Sequence, residues 1–357
     1  MVKTQKITDK YAIYNGDTVD VTKSMPDNSI DLNYYSPPFL GLFSYSSSER
    51  DFSNCETREQ GLLQYEFLVK ELYRVIKPGR ISAVHCTDLM NKDGSQWDYP
   101  NEIQKIYERN GFKRYNKITI WKEPLKVRMR TMVKSLMHKL IVEDSTQSFT
   151  AMPDYVLIFK KDGENQVPVT HNLGLTHYAG ERPFLDAHLD KYGLDENISA
   201  IWNQETGQKS ISDALESYIK RSHEQLKENY KKEKDPKVNK FSHIIWQRYA
   251  SSVWDDIRID NVVEYKQAKE SDGEDGEKHI HPLQLDVYDR IIDLYSNEGE
   301  VCLESFCGSG GGVYSAVSMG RIGIGIELKD SYYQQAVKNA NIAYSRFVVN
   351  KNLELNF

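Results

Sequence analysis

Val301-Cys302-Leu303-Glu304-Ser305-Phe306-Cys307-Gly308-Ser309-Gly310-Gly311-Gly312 passes from an apolar run into a glycine-rich bend. Residues 301–306 read as a strand, 313–319 as a helix and 322–327 (Ile-Gly-Ile-Gly-Ile-Glu) as the next strand. Glycines at such a bend let backbone N–H groups approach a ligand at a helix N-terminus. Glu327 comes seventeen residues after Gly310, at the end of the second strand. A carboxylate there can accept hydrogen bonds from both hydroxyls of a ribose. The dinucleotide pattern would need glycines at 308, 310 and 313, but position 313 is Val; the Gly-Lys-Ser/Thr of a phosphate-binding loop is absent. The stretch therefore predicts an adenosine-binding strand–turn–helix–strand unit in an α/β fold.

The same rhythm runs through the first 160 residues. Strands are expected at 12–15, 30–35, 81–85, 118–121 and 155–159, with helices at 19–25, 62–76 and 102–109. Leu63, Phe67, Leu68, Leu72, Val75 and Ile76 recur at helical spacing, and Lys77-Pro78-Gly79 is the expected stop. The rhythm is lost over 163–250, which is polar with scattered aromatics, and returns with helices at 283–295 and 331–343. Three segments are therefore expected: a catalytic half at 1–162, an insertion at 163–250 and a cofactor-binding half at 251–357. The fold expected is a mostly parallel sheet with helices on both faces.

The 357 residues are 39% hydrophobic, which suffices for a core, and no apolar run approaches the roughly 18 residues of a membrane span. The start of the chain lacks the apolar core of a secretory signal, so a cytoplasmic protein is expected. Cys55, Cys86, Cys302 and Cys307 form no C-x-x-C pair and no His clusters beside them, so free thiols and no metal site are expected. The net charge of −6 is unevenly spread. Residues 113–139 hold nine basic residues against one acid, and 220–248 hold nine against four. The stretch 264–277 holds six acids against two lysines and reads as an exposed loop. Each run could be a solvated face, but two basic runs together favour a polyanionic partner.

Asp31-Leu32-Asn33-Tyr34-Tyr35-Ser36-Pro37-Pro38-Phe39 sets two prolines directly after a strand. Pro-Pro fixes a stiff extended corner where open α/β sheets bind ligands. The corner offers the Ser36 hydroxyl, the Pro37 carbonyl and the Phe39 ring. An exocyclic amine on a base is a poor nucleophile, because its lone pair is delocalised into the ring. Two acceptors holding its hydrogens would draw it toward a tetrahedral shape, and an aromatic face would hold a base removed from its duplex.

Together these stretches resemble the DNA amino-methyltransferases that act on cytosine-N4 or adenine-N6. In order they resemble the beta group, where the catalytic tetrad precedes the target-recognition domain and the cofactor loop comes last. Asn15-Gly16-Asp17 with 25–32, Arg74-Val75-Ile76-Lys77-Pro78-Gly79, Ile120-Trp121-Lys122, 154–161, 252–257 and His281-Pro282 match further family segments. The resemblance implies a circularly permuted, Rossmann-like methyltransferase fold with a seven-stranded sheet and an inserted recognition domain. It implies S-adenosyl-L-methionine as cofactor, with Glu304, Phe306, Gly308 and Gly310 at its methionine part, Glu327 on the ribose and Asp17 on the adenine amine. His281 opens the same half. Ser36, Pro37, Pro38 and Phe39 would hold the target base.

Where the family has Asp-Pro-Phe and Gly-Ser-Gly-Thr, this chain has Glu304-Ser305-Phe306 and Gly308-Ser309-Gly310-Gly311. The family's Lys-His-Pro is Ile280-His281-Pro282 here. Ser in the first tetrad position is usual among cytosine-N4 enzymes and Asp among adenine-N6 enzymes, so Ser36 suggests cytosine. Carbon-5 methylation would need a Pro-Cys nucleophile, and no proline here precedes a cysteine. An adenine-N6 enzyme of the same architecture is the nearer alternative. An RNA or protein amide methyltransferase is more distant, since its tetrad follows the cofactor loop. Double-stranded DNA is the expected partner, with a cognate restriction endonuclease and a monomer or homodimer left open. Lys126, Arg128, Arg130 and Lys134, in the basic and Met-rich stretch 125–140, are the candidates for phosphate contact. The residues name no base for the amine proton.

Overall fold

The computed structural model describes residues 2–40, 50–91, 93–131, 134–169, 249–264 and 282–354. The chain divides into two compact units, Met1–Pro168 with Ser252–Phe357, and Val169–Ser251. Nearly all of the second unit, and with it the expected recognition insertion, lies outside the described residues. So do His281 and all of the acidic stretch beyond Glu264.

The first unit carries β1 (Thr4–Ile7), β2 (Tyr11–Asn15), α1 (Thr18–Lys23), β3 (Ile30–Tyr35), α2 (Arg58–Val75), β4 (Ile76–Thr87), the two-residue strands β5 (Leu89–Met90) and β6 (Gln96–Trp97), and α3 (Tyr99–Arg109). There follow β7 (Lys113–Ile120), α4 (Pro124–Thr131), α5 (Lys139–Glu143), β8 (Asp154–Lys160), β9 (Val253–Trp254), α6 (Leu285–Tyr295), β10 (Val301–Glu304), α7 (Gly311–Ser318), β11 (Ile322–Glu327) and α8 (Asp330–Glu354).

The main sheet has the order β1-β2-β11-β10-β3-β4-β8-β7-β9. The seven strands from β2 to β7 form its centre; six run parallel, and β8 runs against both its neighbours. The expected count of seven is corrected to nine, because β1 adds antiparallel to β2 and β9 adds parallel to β7. β1 is exposed along its whole length and β9 is two residues long, so neither shows the burial alternation that marks a strand in sequence.

Strands β3, β4 and β8 are buried on both faces over most of their length. Leu68, Leu72, Ile103 and Tyr107 of α2 and α3 pack with Val84, Leu157 and Phe159 on one face. Val287, Ile291 and Ile292 of α6 pack with Tyr34, Ala83, Val156 and Ile158 on the other. Tyr11 and Ile13 of β2 are covered by Val313, Val317 and Ala336 of α7 and α8. β3 holds a buried Asn33, whose Nδ2 donates to the Leu303 carbonyl (3.0 Å) and to Ser305 Oγ (2.8 Å), while its Oδ1 accepts from Ser82 Oγ (2.8 Å). A buried amide left unpaired would cost about 1–3 kcal/mol, so this residue ties β10, β3 and β4 into one register.

The stop after α2 is also corrected. Thr57 caps the helix, which ends at Val75, and β4 starts at the next residue. Lys77-Pro78-Gly79 is a bulge within β4 and not a helix cap: Ile30 pairs with Ile76, but Leu32 pairs with Ile81. Gly79 sits at φ +74°, and a Cβ there would stand 2.4 Å from the Asn165 nitrogen.

Candidate active site

β2, β11, β10 and β3 run in parallel, so their C-terminal ends share one edge of the sheet. β10 lies directly beside β3, with Leu303 level with Asn33. The corner after Tyr35 and the bend after Glu304 therefore emerge side by side. They close on one cavity of about 170 Å³, whose wall includes Ser36, Pro37, Pro38 and Phe39 on one side and Phe306, Gly308, Ser309 and Glu327 on the other. The Phe306 ring joins the two, with its centroid 5.5 Å from Tyr35 and 5.6 Å from Phe52. Tyr99 holds the proline corner by donating its hydroxyl to the Pro38 carbonyl at 3.1 Å.

The glycine bend is built by backbone conformation. Gly308 (φ +49°) and Gly310 (φ +81°) are both left-handed, and Gly310 is the N-cap of α7. At Gly308 a Cβ would meet nothing within 4 Å, so this backbone is open to a ligand. At Gly310 a Cβ would stand 2.9 Å from the Ala336 Cβ. Gly310 thus serves the packing of α8 and does not face the cavity, whereas Ser309 and Gly311 do.

Glu327 ends β11 in the cavity wall. Its carboxylate accepts the Gly308 N–H at 2.9 Å and the Lys329 N–H at 2.8 Å. Burial pushes its pKa up to about 7, against the pull of those N–H groups. Asp17 caps α1 through the Asp20 N–H at 2.9 Å and also lines the cavity. Beside it, the buried Thr18 hydroxyl has no hydrogen-bond partner among the described residues. An open backbone at Gly308, two carboxylates and an unspent hydroxyl suit a small polar ligand with hydroxyls and an amine.

Glu304 is not in this wall. It is fully buried behind it, taking the Tyr288 hydroxyl and the Val313 N–H (3.0 Å), and burial raises its pKa to about 8. Through the Val313 N–H it shapes the start of α7. Of the expected cofactor residues, the structure gathers Asp17, Phe306, Gly308 and Glu327 in the wall, together with all four of the tetrad. Sequence reasoning missed Thr18, Arg50, Asp51, Phe52, Tyr288 and Tyr332, which also line it. Asp51 caps a short 3-10 turn at Phe52–Asn54. That Asx turn was the only local signal for this part of the wall.

The basic stretch 125–140 is not one helix. α4 contains Lys126, Arg128 and Arg130, a 3-10 turn at Lys134–Leu136 follows, and α5 closes the segment. Leu125 and Met129 are 64% and 71% exposed, so among the described residues no buried apolar stripe anchors it.

One edge of a mostly parallel sheet thus carries a glycine bend and a buried carboxylate facing a proline corner across a single cavity. A family model described as DNA methylase matches residues 30–338, and the chain belongs to that family. It is 28% identical over 112 residues to a type II methyltransferase, M.BglII, of Bacillus subtilis; the match spans 31% of this chain and 29% of that protein. Among solved structures, a Thermus thermophilus protein described as a DNA modification methylase, complexed with S-adenosyl-L-methionine, aligns with TM-score 0.53 and 17% identity over 94% of this chain and 96% of that one. The PvuII DNA methyltransferase, cytosine-N4-specific, aligns with TM-score 0.54 and 13% identity over 97% and 96%. At these identities the two structures establish the fold.

Proposed function

We propose that this chain transfers a methyl group from S-adenosyl-L-methionine to the exocyclic amine of a DNA base turned out of its duplex, and that the base is cytosine, methylated at N4. The observation that carries the reading is the single cavity shared by the Ser36–Phe39 corner and the Phe306–Gly308 bend. Glu327 would take the ribose hydroxyls, Asp17 the adenine amine, and the Gly308 backbone the methionine part. When bound, the cofactor supplies an electrophilic methyl on a sulfonium.

The chain's own part is placement. Ser36 Oγ and the Pro37 carbonyl accept the amine hydrogens, Phe39 faces the ring, and no covalent intermediate or metal is needed. Lys126, Arg128, Arg130 and Lys134 hold DNA phosphates, and 163–250 reads the site. Ser36 in the first tetrad position is what favours cytosine over adenine.

Incubation of methyl-free genomic DNA with the protein and S-adenosyl-L-methionine, followed by nucleoside mass spectrometry, tests this. N4-methylcytosine is expected. N6-methyladenine would move the assignment to the other base, and no methylated nucleoside would remove the activity.

A further inference from the structure

S-adenosylmethionine ends in an amino acid, and the ammonium of that tail needs acceptors. The Gly308 N–H is a donor that already goes to Glu327 at 2.9 Å, so it cannot hold a cation. Glu304, the acid that the family resemblance sets at the methionine part, is fully buried and is not in the cavity wall. Among the described residues, three carboxylates line the cavity: Asp17, Asp51 and Glu327. Asp17 caps α1, stands 3.8 Å from the Arg50 guanidinium and is the proposed partner of the adenine amine. Glu327 is the proposed partner of the ribose. Asp51 is the wall carboxylate to which neither task falls.

The local chain holds Asp51 in place. It is 5% exposed, and its Oδ1 accepts the Ser53 N–H at 3.0 Å and the Ser53 hydroxyl, which closes the turn at Phe52–Asn54. The next residue, Phe52, sets its ring against Phe306, whose own ring meets Tyr35 just before the tetrad. Asp51 is thereby fixed beside the start of the glycine bend. Burial is the main cause of the raised Glu327 carboxyl, and the Asp51 charge adds to it. Two carboxylates that feel each other on one buried wall repel, and a cation bound there relieves the repulsion. A carboxylate has roughly four lone-pair sites, so it can serve its own turn and a ligand together.

We propose that Asp51 binds the ammonium of the cofactor's methionine part, and so selects ligands that carry an amino-acid tail. The inference rests on the S-adenosylmethionine reading of this cavity. Asp17, Glu327 and Asp51 then take the adenine, the ribose and the ammonium in turn. Because Asp51 answers the ammonium and not the sulfonium, it holds the cofactor before and after methyl transfer alike. S-adenosylhomocysteine, which is neutral at sulfur, depends on it as much as S-adenosylmethionine does.

Calorimetric titration of the full chain at neutral pH with three ligands tests this. Asp51→Asn keeps an oxygen to cap the turn and removes the charge. It should weaken S-adenosylmethionine and S-adenosylhomocysteine alike, by at least tenfold each. It should leave 5′-methylthioadenosine, which has the adenine, ribose and sulfur but no amino-acid tail, within about twofold of wild type. Equal weakening of all three ligands would show that Asp51 acts only through the Phe52 turn, and overturns the proposal. A loss confined to S-adenosylmethionine would assign the charge to the sulfonium and overturns it too. If Asp51→Asn fails to fold, Asp51→Ser, with a capping hydroxyl of its own, gives the same comparison. A wild-type protein that binds neither S-adenosylmethionine nor S-adenosylhomocysteine overturns the reading of the cavity itself. One that binds both while Asp51→Asn matches it overturns the Asp51 assignment only.

Discussion

At the residue scale, Glu327 couples the cavity to pH. Its carboxyl, pushed up to about 7, is part protonated in the ligand-free protein at neutrality. In the proposed arrangement ribose hydroxyls donate to the charged form, so binding S-adenosylmethionine would expel a proton. Affinity should therefore strengthen as pH rises from 6 to 8, by up to about tenfold per unit below the pKa. Glu327→Gln should bind at least tenfold more weakly and lose that slope, which calorimetric titration at several pH values reads directly. The place of Glu327 in the cavity wall was legible in the sequence because it depends on distance along the chain from a glycine bend. Glu304 was not, because motif position cannot tell a wall residue from one behind the wall. Its neighbours decide that: Tyr288, on α6, and the N–H groups of α7 enclose its carboxylate.

Among the elements, the bend and α7 depend on two glycines with different duties. Gly310→Ala would force a side chain into a left-handed residue and against Ala336, at a cost of about 1–3 kcal/mol of stability. Gly308→Ala meets no neighbour and should cost less stability, but Gly308 lines the cavity and the added methyl should weaken cofactor binding more. Denaturant unfolding with cofactor titration on both variants separates the two, and equal losses in both quantities would refute the division of labour. Central elements were legible because they are buried on one or both faces and so carry a period. The edge strands β1 and β9 were not, since one is wholly exposed and the other is two residues long. Lys77-Pro78-Gly79 reads as a stop because its residues suit one. Only the pairing of β3 with β4 reveals it as a bulge.

In the molecule as a whole, buried carboxyls make stability pH-dependent. Glu304 and Glu327 are raised to about 8 and about 7 from an ordinary value of 4.5. Between 4.5 and those values the folded chain binds more protons than the unfolded one, so stability is full below 4.5 and is lost as pH rises through 7 and 8. The Tm of the cofactor-free protein should fall from pH 5.5 to 8.5, and S-adenosylmethionine should stabilise it at each pH. A flat or rising Tm in scanning calorimetry would contradict the assignment of both carboxyls. The meeting of residues 36–39 with 306–308 was legible only as an expectation from motif order. What brings them together is the crossover that sets β10 beside β3, with Asn33 fixing the register.

In the proposed division of labour within this shared cavity, the glycine bend holds the cofactor and the proline corner activates the base. Single-turnover methylation by Ser36→Ala, at saturating S-adenosylmethionine, tests it most directly. The rate should fall on the order of 10²-fold, with cofactor affinity unchanged. Transfer at the wild-type rate, or a loss explained entirely by weaker cofactor binding, would contradict it.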